Sequence, residues 1–398
     1  MEARLAERMA LLGTETAFEV LARAKELERQ GRHIVHLEVG EPDFDTPAHI
    51  KDAAVRALQE GYTHYTPTAG LWEAREVVAE YVARTRRIPV QPQEVVLTTG
   101  AKPVMFFAML MLVQPGDEVV VPDPGYPIYE SMARFAGGTV KPLPLRERND
   151  FRVDPEELRS LLSPRTRLVV LNSPHNPCGS VLTADDLTAI AEAVQRTDAW
   201  VLSDEIYGRI TYGVEAPSIA SLPGMQERTI ILDGFSKTYA MTGWRLGYGV
   251  MPAALAERMT QLATNATSCP AAFTQVAGME ALRGPQDAVD RMVAEFRRRR
   301  DHIVQGLNAI EGITCRTPLG AFYVFPNVTG ACRKLGFKDS KEFQERLLYE
   351  ANVAVLPRTA FGVRNEGEAG EYIRLSYATS KANIVEGLRR LASFIAGK

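Results

Sequence analysis

The chain has 398 residues, more than one hydrophobic core usually organises, so two domains are expected. Hydrophobic residues at 45%, charged residues at 24% and 30 Gly against 24 Pro exclude a fibrous or disordered chain. A net charge of -3 gives no broad positive field, which argues against nucleic acid and membranes as partners and for a small metabolite.

Residues 1–12 mix Glu and Arg with short apolar pieces and lack the apolar centre of a secretion signal. Residues 5–29 read as helical segments, and 34–39 as a strand ended by Gly40-Glu41-Pro42. Apolar residues at helical spacing predict helices over 47–60 and 70–84, followed by a β-branched strand over 94–98 and a helix after Gly100. The apolar run 104–113 is too short to span a bilayer, which takes about 20 residues. A soluble, cytoplasmic protein is expected. Strands over 118–121, 168–171, 200–202 and 229–232 alternate with helices such as 183–196, the rhythm of an α/β fold with a mostly parallel central sheet covered by helices. A charged helix over 289–310 and short strands over 321–325 and 372–377 read as a smaller α+β domain. The expected division is a segment 1–45 joining the small domain, a large domain 46–290 and a small domain 291–398. The arginines at 297–300 read as the solvated face of an amphipathic helix, not a nucleic-acid patch.

Cys178, Cys269, Cys315 and Cys332 form no CxxC pair, which suits a reducing compartment. His33 and His36 lie near a strand edge without a ligand set around them, so they read as surface residues and no metal is expected. Neither GxGxxG at a first strand-helix unit nor GxxxxGK[ST] occurs, which disfavours nucleotide enzymes.

The most informative stretch follows strand 229–232: Gly234-Phe235-Ser236-Lys237-Thr238-Tyr239-Ala240-Met241-Thr242-Gly243-Trp244-Arg245-Leu246-Gly247. Ligands gather beyond the carboxyl ends of strands in open α/β sheets, so Lys237 has room there for a bulky adduct. Its amine becomes a nucleophile on losing its proton, which a cation such as Arg245 encourages. This segment resembles the pyridoxal phosphate (PLP) lysine signature of class I aminotransferases, the family of aspartate aminotransferase. Gly40-Glu41-Pro42-Asp43, Asn172-Ser173-Pro174-His175-Asn176-Pro177 and Arg374-Leu375-Ser376-Tyr377 match the same family in order, so the similarity covers nearly the whole chain.

The resemblance implies the PLP-dependent transferase fold type I, with the cofactor held covalently on Lys237. Asp204 then faces the pyridine nitrogen and keeps it protonated, while Tyr207 and Asn176 hydrogen-bond the phenolate oxygen. Gly100, Ala101 and Lys102 at a helix start, with Ser236 and Arg245, take the phosphate. Tyr65 reaches that phosphate from a neighbouring subunit, which implies a homodimer with shared sites. Tyr126 stacks on the cofactor ring. Arg374 pairs with the substrate α-carboxylate, helped by Gly40 and Asn176, and draws the two domains together. Lys237, once freed, is the base that takes the Cα proton. Taken singly, these residues carry plainer readings: Asp204 as a helix N-cap, Asn176 as a turn residue, Tyr126 as core, Lys102 as a helix start, Tyr65 as a surface aromatic.

On substrate, Lys102 matches a lysine that contacts the distal carboxylate of acidic substrates, so aspartate or glutamate with 2-oxoglutarate lead. Tyr126 stands where Trp is common and leaves room for aromatic or neutral amino acids. A PLP-dependent β-lyase would keep the same residues. A PLP-binding regulator would need a DNA-binding module, for which the chain shows no N-terminal extension. Cys178 and Arg358 depart from frequent family residues, and Arg358 is expected in a loop bordering the substrate pocket.

Overall fold

The β-branched runs of the middle third condense into one sheet. In the computed structural model, which describes residues 4–397, it has seven strands: β1 (Val95–Thr98), β2 (Glu118–Asp123), β3 (Thr139–Pro144), β4 (Thr166–Asn172), β5 (Trp200–Asp204), β6 (Thr229–Gly234) and β7 (Gly247–Val250). Residues 1–3 of the segment judged not to be a secretion signal lie outside the described residues. The spatial order is β1-β7-β6-β5-β4-β2-β3, and every neighbouring pair is parallel except those that β7 makes with β1 and β6. Every residue of β2 and β6 is buried, as expected of strands covered on both faces by helices.

Two strands of this sheet have no counterpart in the sequence reading. β3 is an edge strand carrying two prolines, which lack the N–H a ladder uses and sit most easily where one side of the strand is unpaired. β7 reads Gly-Tyr-Gly-Val, and a Cβ at Gly247 would collide with the backbone of Ala101. Close packing chose glycine at that position over strand propensity.

The parallel strands end on one side of the sheet with Thr98, Asp123, Asn172, Asp204 and Gly234 as their last residues. Polar side chains therefore converge at the carboxyl edge without any local sequence signal joining them.

The C-terminal part holds the 22-residue helix Asp287–Asn308 and a three-stranded antiparallel sheet in which Ile373–Ser376 lies between Leu356–Pro357 and Tyr323–Val324. The strand expected over 34–39 shrinks to Val35–His36, which pairs with Val353–Ala354. The shortening has a cause: Leu37 donates to the Ala354 carbonyl while its own carbonyl accepts from Ser376, so the segment passes from one sheet toward another. His36, expected at the surface, is half-buried between Glu28 (3.0 Å) and the fully buried Glu38 (2.7 Å). No helix among the described residues is long and apolar enough to cross a membrane.

The arginine run at 297–300 corrects its sequence reading in part: Arg297 and Arg298 are exposed as expected, and the other two are not. Arg299 and Arg300 are only 8% and 7% exposed, because the stripe of Phe296, Ile303 and Leu307 runs through them. Arg299 pairs with Asp43 at 2.7 Å and lies 4.9 Å from the Phe44 ring centre, while Arg300 lies 4.7 Å over Tyr212.

Arg358 is likewise not where the sequence reading put it. It is fully buried and does not line the cavity described below. Its Nη2 donates to Asp123 and its Nε to Glu368, both at 2.7 Å, which ties the last residue of β2 to the segment after Leu356–Pro357. Burial pushes the Asp123 carboxyl up to about 6, against the pull of this guanidinium. Arg358→Ala would strip the buried Asp123 and the part-buried Glu368 of the cation they share. The expected cost is about 3–5 kcal/mol, read as a lower thermal unfolding midpoint; an unchanged midpoint would show that the triad does not hold these segments.

Candidate active site

A cavity of about 350 Å³ lies at the carboxyl ends of the central strands. Of the site residues expected from the sequence, all but Gly100 and Tyr65 line it. Four cationic groups (Lys102, Lys237, Arg245, Arg374) and three acidic ones (Glu15, Glu41, Asp204) share its wall.

Lys237 stands three residues beyond the end of β6, in a turn that brings its Nζ 2.6 Å from the carbonyl of Gly40. Burial lowers its pKa from 10.5 to about 8, and Arg374 and Arg245 push the same way against Glu41 and Glu15. The sequence reading credited a neighbouring cation; loss of water is the larger cause.

Asp204 ends β5 and is buried. Its Oδ2 accepts from the Tyr129 hydroxyl at 2.6 Å and its Oδ1 from the Ile206 amide at 3.1 Å. Residues 205–209 form a turn and no helix, so the N-cap reading of Asp204 fails. Burial lifts its pKa to about 6 despite those two donors, the mark of a carboxylate short of a cationic partner. Tyr129, missed in the sequence, comes from helix Pro127–Phe135, and its ring packs edge-on at 5.6 Å to Tyr126. No local pattern distinguishes it from an ordinary core tyrosine.

Arg374 is buried in Ile373–Ser376 beside the Tyr323 ring (4.4 Å) and the Phe361 ring (5.0 Å). Nη1 donates to Asn176 Oδ1 at 3.0 Å, Nη2 donates to the Glu38 carbonyl, and Nε has no partner among the described residues. Burial presses its pKa down. A buried guanidinium with no anionic partner and an orphan N–H is a site for an incoming carboxylate. Tyr207 shares a 2.8 Å hydrogen bond with Tyr323, whose hydroxyl fills the space that a side chain at position 40 would need. Gly40 is thus glycine for a reason of volume.

At the other end, Ala101 and Lys102 begin helix Lys102–Leu112, and Ser236 and Arg245 face the same cavity. Gly100 corrects the expectation that it donates: its N–H already bonds the Thr98 carbonyl at 2.8 Å, and what it contributes is room for Arg245. Arg245 adopts φ 53°, and its Nη1 donates to the Thr242 carbonyl at 2.7 Å. Tyr65 is 90% exposed and away from the cavity of its own chain. The Tyr126 hydroxyl donates to Glu15 Oε1 at 2.7 Å, and Lys102 pairs with the same oxygen. Glu15 is the second residue the sequence reading missed, since a glutamate at a helix start looks like an ordinary dipole partner.

These donors fit PLP. A buried amine of lowered pKa suits an aldehyde, Asp204 suits a protonated ring nitrogen, and a helix start beside Ser236 and Arg245 suits a phosphate. Comparison with known proteins agrees with the geometry. The family described as "Aminotransferase class I and II" matches residues 32–391. The chain is 39% identical to an aspartate aminotransferase of Geobacillus stearothermophilus, over 98% of this chain and 99% of the other. The crystal structure of the aspartate aminotransferase from Rhizobium meliloti superposes with a TM-score of 0.94 at 38% identity, covering 99% of each chain. An aromatic aminotransferase from Pyrococcus horikoshii OT3 superposes with a TM-score of 0.87 at 39% identity, covering 94% of this chain and 99% of the other. The chain belongs to the class I and II aminotransferases and is a PLP-dependent transaminase.

Proposed function

We propose that aspartate or glutamate is the amino donor and 2-oxoglutarate the acceptor, with the residues of this cavity acting as follows. The observation that carries the assignment of roles is the state of three lining cations. Lys237, Arg245 and Arg374 bond only neutral oxygens of the chain, which leaves one amine for the cofactor and two anion sites for its phosphate and the substrate carboxylate.

PLP supplies an electron sink for the pair left when the substrate Cα–H bond breaks. Asp204 holds a proton at the ring nitrogen, and Tyr129 fixes the orientation of that carboxylate. Arg374 and the Gly40 backbone grip the α-carboxylate and set the direction of the Cα–H bond. Asn176, whose Oδ1 is taken by Arg374, keeps its amide N–H groups for the phenolate oxygen, as Tyr207 does with its hydroxyl. Lys237 Nζ would take the Cα proton and hold it for return; burial makes its neutral form accessible near neutral pH.

The acidic donor rests on Lys102 and on relatives that bear aspartate in their names. A second reading, neutral or aromatic donors, is favoured by the pairing of Lys102 with Glu15 and by the Tyr126 ring. We further place the large domain at 46–290 and the small one at 291–398, with the N-terminal segment joined to the latter through Val35–His36. Tyr65 is exposed, and so are Val55, Leu58, Tyr62 and Trp72, which supports a homodimer in which Tyr65 serves the partner's phosphate site. A cytoplasmic location suits the isolated cysteines.

Three outcomes test these assignments. In a panel of amino donors with 2-oxoglutarate, aspartate is expected to give the highest kcat/KM, and glutamate is expected to do so with oxaloacetate as acceptor, because glutamate and 2-oxoglutarate exchange with no net change. No turnover of either would discard the acidic reading, and pyruvate release without an oxo-acid acceptor would point to β-elimination. Lys237→Ala is expected to keep its circular dichroism and lose all borohydride-trapped cofactor; a persistent adduct would refute the role of Lys237. Capture of PLP by the apoprotein needs the unprotonated amine, so its rate should rise with pH and reach half its plateau near about 8. A midpoint at the ordinary lysine value of 10.5 would show that burial does not act on this group.

A further inference from the structure

The charges of the cavity are unevenly paired. Three of its four lining cations bond only neutral oxygens, while Lys102 already holds an anion of the chain itself, Glu15. Arg245 and Arg374, which bond no anion among the described residues, match the two anions that every amino-acid donor and its cofactor bring. The third anion of an acidic donor finds its site filled.

Glu15 is set up for this position. It occupies the N-cap of helix Thr16–Arg29, yet its side chain makes no capping hydrogen bond. Glu at an N-cap forgoes the capping hydrogen bond that Ser, Thr, Asp or Asn would make there. Its carboxylate turns into the cavity instead, where Oε1 accepts from Tyr126 and Lys102 together. The segment is pinned there by the Gly13 amide, which donates to Ser131 Oγ at 2.8 Å on helix Pro127–Phe135. The Glu15 side chain is 16% exposed against 43% for Lys102, so the carboxylate is the more enclosed partner. Lys102 also lies 5.8 Å from the centre of the Tyr126 ring, so Glu15, Lys102 and Tyr126 form one contact group. Glu15 lines the same cavity as Lys237 and Arg374.

We propose that Glu15 is an internal carboxylate that competes with acidic donors for Lys102 and thereby sets donor specificity. With Glu15 in place, the Glu15–Lys102 pair is neutral, so the second carboxylate of an acidic donor gains less from Lys102 than it would from a free ammonium. An acidic donor binds only by displacing Glu15, since two carboxylates on one ammonium repel each other. This rests on the transaminase reading with Lys102 at the side-chain end, and it makes acidic donors a use of the site that the chain itself opposes.

The test is Glu15→Gln in the holoenzyme, read as the ratio of kcat/KM for aspartate to that for alanine. Calorimetric Kd values for succinate and propionate, which cannot react, give a binding readout free of turnover. The aspartate-to-alanine ratio is expected to rise about tenfold or more, the scale of one hydrogen bond to a charged group, and the succinate-to-propionate preference to rise with it. Glu15→Ala, read in parallel, must move both ratios the same way. Ratios that stay constant or fall overturn the proposal while leaving the acidic reading intact if the parent uses aspartate. If the parent rejects aspartate and glutamate but Glu15→Gln accepts them, the proposal holds and the acidic reading fails. If neither form accepts them, both fall.

Discussion

The chemistry of this chain depends on keeping one lysine amine out of bulk water. Lys237 is a poor base while it carries its proton, and what removes the proton's advantage is burial at the end of β6, assisted by two arginines. Desolvation of this kind requires a wall around the amine, and the wall is assembled from distant parts of the chain: Gly40 ahead of helix Ala48–Gln59, Asp204 on β5, Tyr323 and Arg374 near the C-terminus. A single local motif has no means to exclude water. The sheet topology supplies that means by ending parallel strands on one side and letting the C-terminal part cover them.

The same low-dielectric setting governs the other ionisable groups. Asp204 has its pKa lifted by burial although Tyr129 and a backbone amide donate to it, and Arg374 is pressed the opposite way with one N–H unused. Each is held at a cost that a ligand of opposite charge removes. Buried charges without partners are rare in structural cores, where Arg358 and Arg86 illustrate the usual solution by pairing with two carboxylates each. The contrast between these satisfied arginines and the unsatisfied Arg374 separates scaffold from site on physical grounds. The Glu15–Lys102 pair belongs to neither group, being a satisfied pair inside the cavity where the others wait for ligands.

Much of this was legible in the sequence, and particular residues show why. Strands such as Val119-Val120-Val121 and helices such as Ala184–Val194 announce themselves by local periodicity, and the segment around Lys237 by a long pattern. The family resemblance carried by that pattern implies one site for Lys237, Asp204, Arg374, Arg245 and Asn176, and they line one cavity. Local pattern fails where packing sets the residue type. β7 has glycines because Ala101 and Val104 lie against it, and β3 keeps its prolines because it is an edge. Arg299 and Arg300 look solvated in sequence and are buried because the apolar stripe of their helix runs through them.

The sequence by itself determined the alternation of strands and helices, the lysine-bearing segment and the family to which the chain belongs, because each depends on residues close together in the chain. Only the tertiary structure decided the pairings across long separations. Tyr129 was assigned to Asp204, Arg358 to Asp123 and Glu368, and Glu15 to Lys102, across gaps that no periodicity spans. Charge and burial act through space, so a carboxylate's partner and its access to water are set by what the folded chain brings within a few ångströms of it.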